Sequence, residues 1–270
     1  MLNEVIKSFG VTEEMPILFV GHGSPMNAIE HNEFVDGWQS AGKALPKPNA
    51  ILCISAHWET RGIQITAMEK PPTIHDFGGF PKALFDVEYP APGSPALATE
   101  IQEILKPTPA VLDAQWGLDH GCWSVVKNMY PDADIPVLQM SMDVHRTPSQ
   151  HFELAKELAA LRKKGVLIIG SGNMVHNLRM LNWQRPETGY DWAIEANSNF
   201  KKLIENNKLT ELMNYQALGA EAKLAIPTPE HYLPLLYILG LKEENENLSF
   251  FNDKLVMGSI AMTSLKIGMA

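Results

Sequence analysis

The sequence predicts one α/β domain spanning residues 1–270, with a mostly parallel or mixed central sheet, helices on both faces and a metal site at the carboxyl ends of its strands. Strand-like and helix-like segments alternate along the whole chain, as in α/β folds. The apolar runs are short, which is typical of strands covered on both faces. Three of these runs end close to a histidine, namely His22, His57 and His176.

The order of elements follows from local signals. Strands are predicted at 17–20, 50–58, 62–68, within 110–115, and at 134–142, 166–173 and 254–267. Helices are predicted at 32–45, 94–106, after the turn at 117–121, and at 147–165, 190–218 and 229–240. Ser94 is a suitable N-cap, followed by Pro95 at the first helical position. The proline-rich stretch 70–95 is predicted to be a long ordered loop, a kind of loop that often carries function.

Composition narrows the class of protein. The 270 residues are 45% hydrophobic and 20% charged, with a formal net charge of -9, so a nucleic-acid partner is not expected. No apolar run approaches the roughly 18 residues of a membrane span. The first 16 residues lack the apolar core of a signal peptide, and a cytoplasmic location is expected. The two cysteines, Cys53 and Cys122, have neither zinc-ribbon nor disulfide-framework spacing.

His22 and His57 lie at the ends of their predicted apolar strands, and Gly21 and Gly23 allow a sharp turn around the first of them. Ligands of open α/β sheets bind beyond the carboxyl ends of strands, so these side chains converge if the two strands are neighbours. Neutral imidazole is the commonest metal ligand in proteins. A turn histidine bonded to backbone would explain His22 alone, but the pair favours a metal.

His176 lies in the segment GSGNMVHNL, where Gly-Ser-Gly is predicted to open a helix. One turn into that helix, His176 would face the same cleft. The alternative is anion binding by the glycine loop, with His176 as a bystander. The loop matches neither a P-loop nor the dinucleotide fingerprint, and we favour the functional interpretation of His176.

A further ligand is expected in the segment IPTPEHYLPLLY. Thr228 suits an N-cap and Pro229 the first helical position, which places Glu230 and His231 in the first turn. Neighbours on a helix point about 100° apart, so the two cannot both reach one metal easily. Glu230 would give two histidines and a carboxylate, and His231 would give three imidazoles. Both sets leave open coordination positions, as catalytic sites do. Because the helix dipole already explains an acidic residue here, we favour His231.

Two more histidines are candidates. His75, in the middle of the long loop, is expected either to bind substrate or to lie on the surface. His120, between two tryptophans, is expected to donate a proton or hydrogen bond to substrate, unless it is a satisfied core histidine. The polar or helix-start contexts of three others predict surface positions: His31, His145 and His151.

Eight motifs in one order resemble the bacterial 4,5-DOPA extradiol dioxygenase family, in particular its zinc-containing enterobacterial branch, within the class III extradiol ring-cleavage superfamily. The motifs are LFVGHGSPMNAIE, SAHWETRG, PPTIHDFGGFP, YPAPGSPALA, WGLDHGCWSVV, YPDADIPVLQMS, GSGNMVHNLR and PTPEHYLPLLY, and the resemblance as a whole extends from about residue 16 to residue 262. Together they are specific, because they cover nearly the whole chain.

The resemblance implies metal ligation by His22, His57 and His231, with His176 as the acid–base histidine and as a further ligand in zinc-containing members. It implies Fe(II) for catalysis, Zn(II) bound in the isolated protein, and a small-molecule catechol such as L-DOPA together with O2 as substrates. The superfamily triad ends in a glutamate, whereas this sequence has His231 at that point, with Glu230 next to it.

Two other functions are compatible with the same residues. A zinc-dependent hydrolase would use zinc-bound hydroxide as the nucleophile and His176 as the base. A non-catalytic metal-binding protein would have no need of an acid–base histidine beside the metal, so His176 favours catalysis. The sequence carries no signal for an oligomeric state.

Overall fold

The computed structural model describes residues 12–268 and contains twelve strands and nine α-helices within them. The strands are β1 (Ile17–Gly21), β2 (Ala50–Ser55), β3 (Glu59–Thr60), β4 (Ile63–Thr66), β5 (Ala110–Asp113), β6 (Val137–Gln139), β7 (Met142–Asp143), β8 (Val166–Gly172), β9 (Leu248–Phe251), β10 (Leu255–Val256), β11 (Ile260–Ala261) and β12 (Ser264–Ile267). The helices are α1 (Glu33–Ala44), α2 (Lys82–Phe85), α3 (Pro95–Ile104), α4 (His120–Met129), α5 (Pro148–Glu157), α6 (Asp191–Glu205), α7 (Leu209–Met213), α8 (Ala220–Ala225) and α9 (Leu233–Gly240).

Six strands form the central sheet, in the order β6-β2-β8-β1-β12-β9. The first four are parallel to one another, whereas β12 runs antiparallel to both β1 and β9. Three two-stranded ladders, β3-β7, β4-β5 and β10-β11, lie outside this sheet. The predicted mixed α/β architecture is therefore confirmed.

The two faces of the sheet carry separate hydrophobic cores. Along β1, Ile17 and Phe19 belong to the core that α3, α5, α6 and α9 cover. Leu18 and Val20 point the other way, into the core that α1 and α4 cover. Alternation of side chains along a strand thus buries both faces, which explains why the central strands are apolar at every position.

The expected adjacency of β1 and β2 is wrong, because β8 lies between them and pairs in parallel with both. Gly21 at the end of β1 is aligned with Gly172 of β8, and Ser55 at the end of β2 is aligned with Ser171. Three carboxyl ends therefore lie side by side, and the chain segments that follow them open into one cleft.

Several predicted boundaries are confirmed by capping contacts. Ser94 accepts a hydrogen bond from the Leu97 amide at 3.2 Å, with Pro95 at the first helical position. Thr147 and Gln150 form a reciprocal capping box at the start of α5. Gly165, with φ of 73°, ends the 3-10 turn that extends this helix, a conformation that glycine adopts without strain.

Other predicted elements differ from the structure. The helix predicted at 190–218 is divided into α6 and α7, and α9 begins at Leu233 rather than at 229. No helix contains His176, which instead forms a β-bridge with Ile260. The strand β9 lies in a segment that the sequence left without a predicted element.

No helix among residues 12–268 is long and apolar enough to cross a membrane. Residues 1–11, on which the expectation about a signal peptide largely rests, lie outside the described part of the chain.

His151 is buried, which corrects its predicted surface position. Its Nδ1 lies 2.8 Å from the hydroxyl of Tyr237, a residue of α9, and its Nε2 is buried with no partner among the described residues. Burial, reinforced by Arg146 and partly offset by Asp143, lowers the pKa of His151 to about 4.

We expect His151→Asn to flatten the loss of stability in acid. The unfolded chain binds a proton below about pH 6.5, whereas folded His151 resists it down to about 4, so native stability falls as the pH drops through this window. This group contributes about 2 kcal/mol of the loss between pH 7 and 5. Urea unfolding of metal-free wild type and His151→Asn at pH 7 and 5 measures the loss of unfolding free energy in each protein.

The matched control is His145→Asn, which changes an exposed histidine. An unchanged pH dependence in His151→Asn, with the control also unchanged, would show that His151 does not resist protonation in the folded chain.

Candidate metal centre and active site

Five histidines meet at one end of the central sheet. They line a cavity of about 370 Å³ and are His22, His57, His120, His176 and His231. The ligand atoms of His22, His57 and His120 lie within 4.8 Å of one another, and so do those of His176, Glu230 and His231. Such a density of imidazoles has no structural role in an apolar core, so the cluster is the candidate functional site.

His22 follows β1 and is held by the neighbouring strand. Its Nδ1 lies 3.1 Å from the Ser171 hydroxyl of β8. That hydroxyl donates its own proton to the Gly121 carbonyl at 2.5 Å, so its oxygen accepts from Nδ1–H of His22. The Nε2 of His22 therefore carries a lone pair.

Asp76 holds two of the histidines. Its Oδ1 accepts from the backbone amide of His120 at 2.8 Å, and its Oδ2 lies 2.9 Å from His120 Nδ1 and 3.4 Å from His57 Nδ1. Burial opposes ionisation of this carboxyl, but the contacts with His120 outweigh it and keep the pKa of Asp76 below its ordinary value. One carboxylate from the long loop thus directs both Nδ1 atoms away from the cavity.

Asp119 fixes the helix that carries His120. Its side chain caps α4 by accepting from the Cys122 amide at 3.1 Å. It also accepts from Ser55 at 2.7 Å and from the Gln139 amide at 2.7 Å. Burial, together with the nearby Asp76, raises the pKa of Asp119. The cap therefore ties the helix start to the end of β2, two residues before His57.

His231 points into the cavity and Glu230 lies behind it. Glu230 does not line the cavity, and its Oε1 lies 3.2 Å from His231 Nδ1. The His231 carbonyl accepts from the Asn173 amide at 2.8 Å. A Cβ at Gly172 would lie 2.1 Å from that carbonyl, so only glycine allows this close approach of β8. The arrangement favours His231 over Glu230 as the ligand.

His176 stacks on His231, with ring centroids 3.4 Å apart and an interplanar angle of 10°. Its backbone is held by the Ala225 carbonyl at 2.8 Å, but no hydrogen bond to its ring nitrogens occurs within residues 12–268. His176 thus differs from the four other imidazoles, each of which has an oxygen partner at Nδ1.

Four of the five histidines in the cluster are uncharged at neutral pH. Burial, and then repulsion from neighbouring imidazoles, holds the pKa values of His22 and His231 well below the ordinary value. Burial and His120 lower the pKa of His57 to about 3, against the attraction of Asp76. Burial lowers the pKa of His176 to about 4. A metal ion would displace no proton from these nitrogens.

The donor set fits a metal ion. The Nε2 atoms of His22 and His57 are 3.1 Å apart. At this distance the two nitrogens either share one proton or bind one cation. Two ligands at about 2.1 Å from one ion would be separated by about 3.0 to 3.4 Å, which matches.

His75 lies apart from the cavity lining. Its Nε2 is 3.0 Å from the Val87 carbonyl, and its ring lies among Phe77, Phe85 and Trp123. The next two residues, Asp76 and Phe77, line the cavity in its place. The predicted substrate contact of His75 stays a prediction, and this position favours support of the loop.

Three functional side chains were missed from the sequence, namely Asp76, Asp119 and Ser171. Each acts on a histidine that is distant along the chain or on the helix carrying it. The one available signal was the polarity of Asp76 within an aromatic loop segment and of Ser171 within a fully buried strand.

The model of the family described as the catalytic LigB subunit of aromatic ring-opening dioxygenase matches residues 15–263, and the chain belongs to this family. It is an aromatic ring-opening dioxygenase of the extradiol type, and enzymes of this family depend on a metal.

Similar proteins agree with this assignment. The chain is 47% identical to the 4,5-DOPA dioxygenase extradiol of Escherichia coli (strain K12), over 99% of both chains. It is 36% identical to the protein of the same name from Beta vulgaris, over 92% of this chain and 94% of that protein. A crystal structure of an uncharacterized protein from Escherichia coli K12 matches with a TM-score of 0.80 and 44% identity, covering 94% of this chain and 100% of that chain.

We expect Asp76→Asn to weaken metal binding by about 10- to 100-fold, because an amide has one accepting oxygen, whereas Asp76 uses one oxygen for the His120 backbone amide and the other for His120 Nδ1–H. Competition with a chromophoric chelator measures the affinity. The control is Asp86→Asn, which removes an exposed carboxylate from the same loop. Wild-type affinity in Asp76→Asn would contradict the anchoring role.

Proposed function

We propose that the enzyme opens a catechol such as L-DOPA at the 4,5 bond with O2, at a metal held by histidines. The observation that carries the proposal is the convergence of imidazole Nε2 atoms on the floor of a cavity large enough for one aromatic ring. The names of the relatives from Escherichia coli and Beta vulgaris support L-DOPA as the substrate.

We assign the metal to His22, His57 and His231. Their ring centroids form a nearly equilateral triangle, with sides of 5.0, 5.1 and 5.3 Å, as three ligands around one ion require. His120 is less evenly placed, 4.0 Å from His57 and 5.5 Å from His22. Although the ligand atoms of His231 group with those of His176, the triangle of rings supports His231 as the third ligand.

Fe(II) is the proposed catalytic metal, and Zn(II) the metal bound in the isolated protein. Bound Fe(II) supplies the redox chemistry that O2 requires, whereas Zn(II) has none. Imidazole ligands bind both Fe(II) and Zn(II), so zinc can take the place of iron at this site. We also propose that the enzyme acts in the cytoplasm.

His176 is the proposed general base. Its ring lies against His231, is uncharged at neutral pH and has no protein partner at its nitrogens among the described residues. It is therefore free to take a proton from a catechol hydroxyl and to return it later, as histidine does in many enzymes. In the zinc-bound protein, the same nitrogens would be available as a further ligand.

His120, which also lines the cavity, is the proposed hydrogen-bond or proton donor to the substrate. Asp76 accepts from its Nδ1, which turns Nε2 towards the substrate.

In the reaction, the ring C–C bond next to one hydroxyl breaks and both atoms of O2 enter the product. The product is a muconic semialdehyde, which in the case of L-DOPA cyclises to a yellow pigment.

Reconstitution of metal-free protein tests the proposal. After anaerobic loading with Fe(II) or Zn(II), we expect O2 uptake and a rise in yellow absorbance with L-DOPA for iron alone, because zinc has no redox chemistry. An oxygen electrode and a spectrophotometer record both. If the zinc form hydrolyses esters or amides and the iron form takes up no O2, the proposed function is wrong and the zinc-dependent hydrolase function takes its place.

His176→Ala is expected to lower O2 uptake by about 10²- to 10⁴-fold while iron content stays at the wild-type level, because the base is lost and three ligands remain. Metal analysis and oxygen uptake are measured on the same preparation. His145→Ala, at an exposed histidine, is the control. Full activity, or loss of iron together with activity, would contradict the assigned role.

A further inference from the structure

The cavity has two chemically different sides. The histidine cluster forms its floor, and the rest of the lining is largely apolar. This apolar wall consists of Phe77, Phe80, Leu178, Leu181, Trp183 and Met257. Because a bound diol would face the histidines, the wall is what remains to contact the rest of the ring and its substituent.

This wall offers no cation to an anion. Within residues 12–268, neither lysine nor arginine lines the cavity. Ser24 is the hydroxyl residue of the lining. Its Oγ accepts from the Met26 amide at 3.2 Å, and its hydroxyl is an uncharged donor that does not neutralise a carboxylate. The one acidic residue there, Asp76, would repel a second carboxylate. Arg185, two residues after Trp183, stacks on the ring of Tyr190 and does not line the cavity.

The mouth of the cavity exposes unusually large apolar side chains. Trp183 is 76% exposed and Leu178 is 60% exposed, and both contribute to the lining. Exposed apolar surface next to a binding cavity is typical of a surface that a ligand covers. A substituent that extends from the ring towards solvent would pass these two residues.

We propose that the site selects catechols whose ring substituent is uncharged where it meets the wall, over catechols that carry a carboxylate directly on the ring. The proposal rests on the proposed ring-opening function. A ring-attached carboxylate would lose water at the wall and gain no cation, which costs binding free energy. The flexible substituent of L-DOPA is tolerated because its charges reach solvent beyond Trp183.

Two ligands of similar size test this selection, 4-methylcatechol and 3,4-dihydroxybenzoate, which carry a methyl group or a carboxylate at the same position. Calorimetric binding to the Zn(II)-loaded protein without O2 is expected to be at least about tenfold tighter for 4-methylcatechol. No turnover occurs under these conditions. The measurement therefore compares binding affinities and is independent of how each substituent changes the rate of ring opening.

Leu178→Arg supplies the missing cation at an exposed position, where the substitution does not disturb the core. It is expected to shift the ratio of the two dissociation constants at least about tenfold towards the carboxylate. The control is Val111→Arg, at a strand position that is 58% exposed and does not line the cavity, and its ratio is expected to match the wild type.

The outcomes separate the two proposals. Equal or tighter binding of 3,4-dihydroxybenzoate to the wild type, or an unchanged ratio in Leu178→Arg, would overturn the selectivity. Absence of O2 uptake by the Fe(II)-loaded protein with every catechol would overturn the ring-opening proposal, while a retained preference for 4-methylcatechol in calorimetry would still support an apolar-substituent site.

Discussion

Oxygen acceptors at the Nδ1 atoms of the histidines are the contacts on which the candidate site depends. Ser171 holds His22, Asp76 holds His57 and His120, and Glu230 holds His231. Each acceptor fixes a ring orientation and a tautomer, so the Nε2 lone pairs converge before any ligand arrives. Burial lowers the pKa values of His22, His57 and His231, which keeps these three imidazoles uncharged and available as ligands. The oxygen acceptors at Nδ1 and the low pKa values therefore both prepare the Nε2 atoms to bind a metal.

The central strand β8 brings these contacts together. It contributes Ser171 on one side of the site and leads into His176 on the other. Its glycines admit the backbone of the segment that carries His231, because a side chain at Gly172 would collide with the His231 carbonyl. The Gly-Ser-Gly sequence thus serves close packing between a strand and a neighbouring segment. It does not begin a helix, and anion binding at a helix terminus does not explain it.

The histidines could be predicted from the sequence because each lies close to a local apolar pattern that ends there. His22, His57 and His176 needed only strand recognition and the rule that sites form at carboxyl ends of strands. The order of the strands could not be predicted, because β8 is inserted between β1 and β2 by pairing over more than a hundred residues. Asp76 and Ser171 were missed for the same reason, since their partners are distant in sequence. His151 was misplaced because a helix start gives no sign that α9 will cover it.

The spacing of the five imidazoles along the chain, from His22 to His231, has a consequence for how the protein matures. No contiguous fragment shorter than this span contains the whole cluster, and its outer acceptors come from separate elements. Metal affinity therefore arises late, when the long-range pairing of the sheet is complete. A metal that binds the native state and leaves unfolded chains largely empty also shifts the folding equilibrium. The metal-binding capacity of a preparation, measured at a saturating concentration of the ion, thus reports the fraction of chains that have reached the native topology.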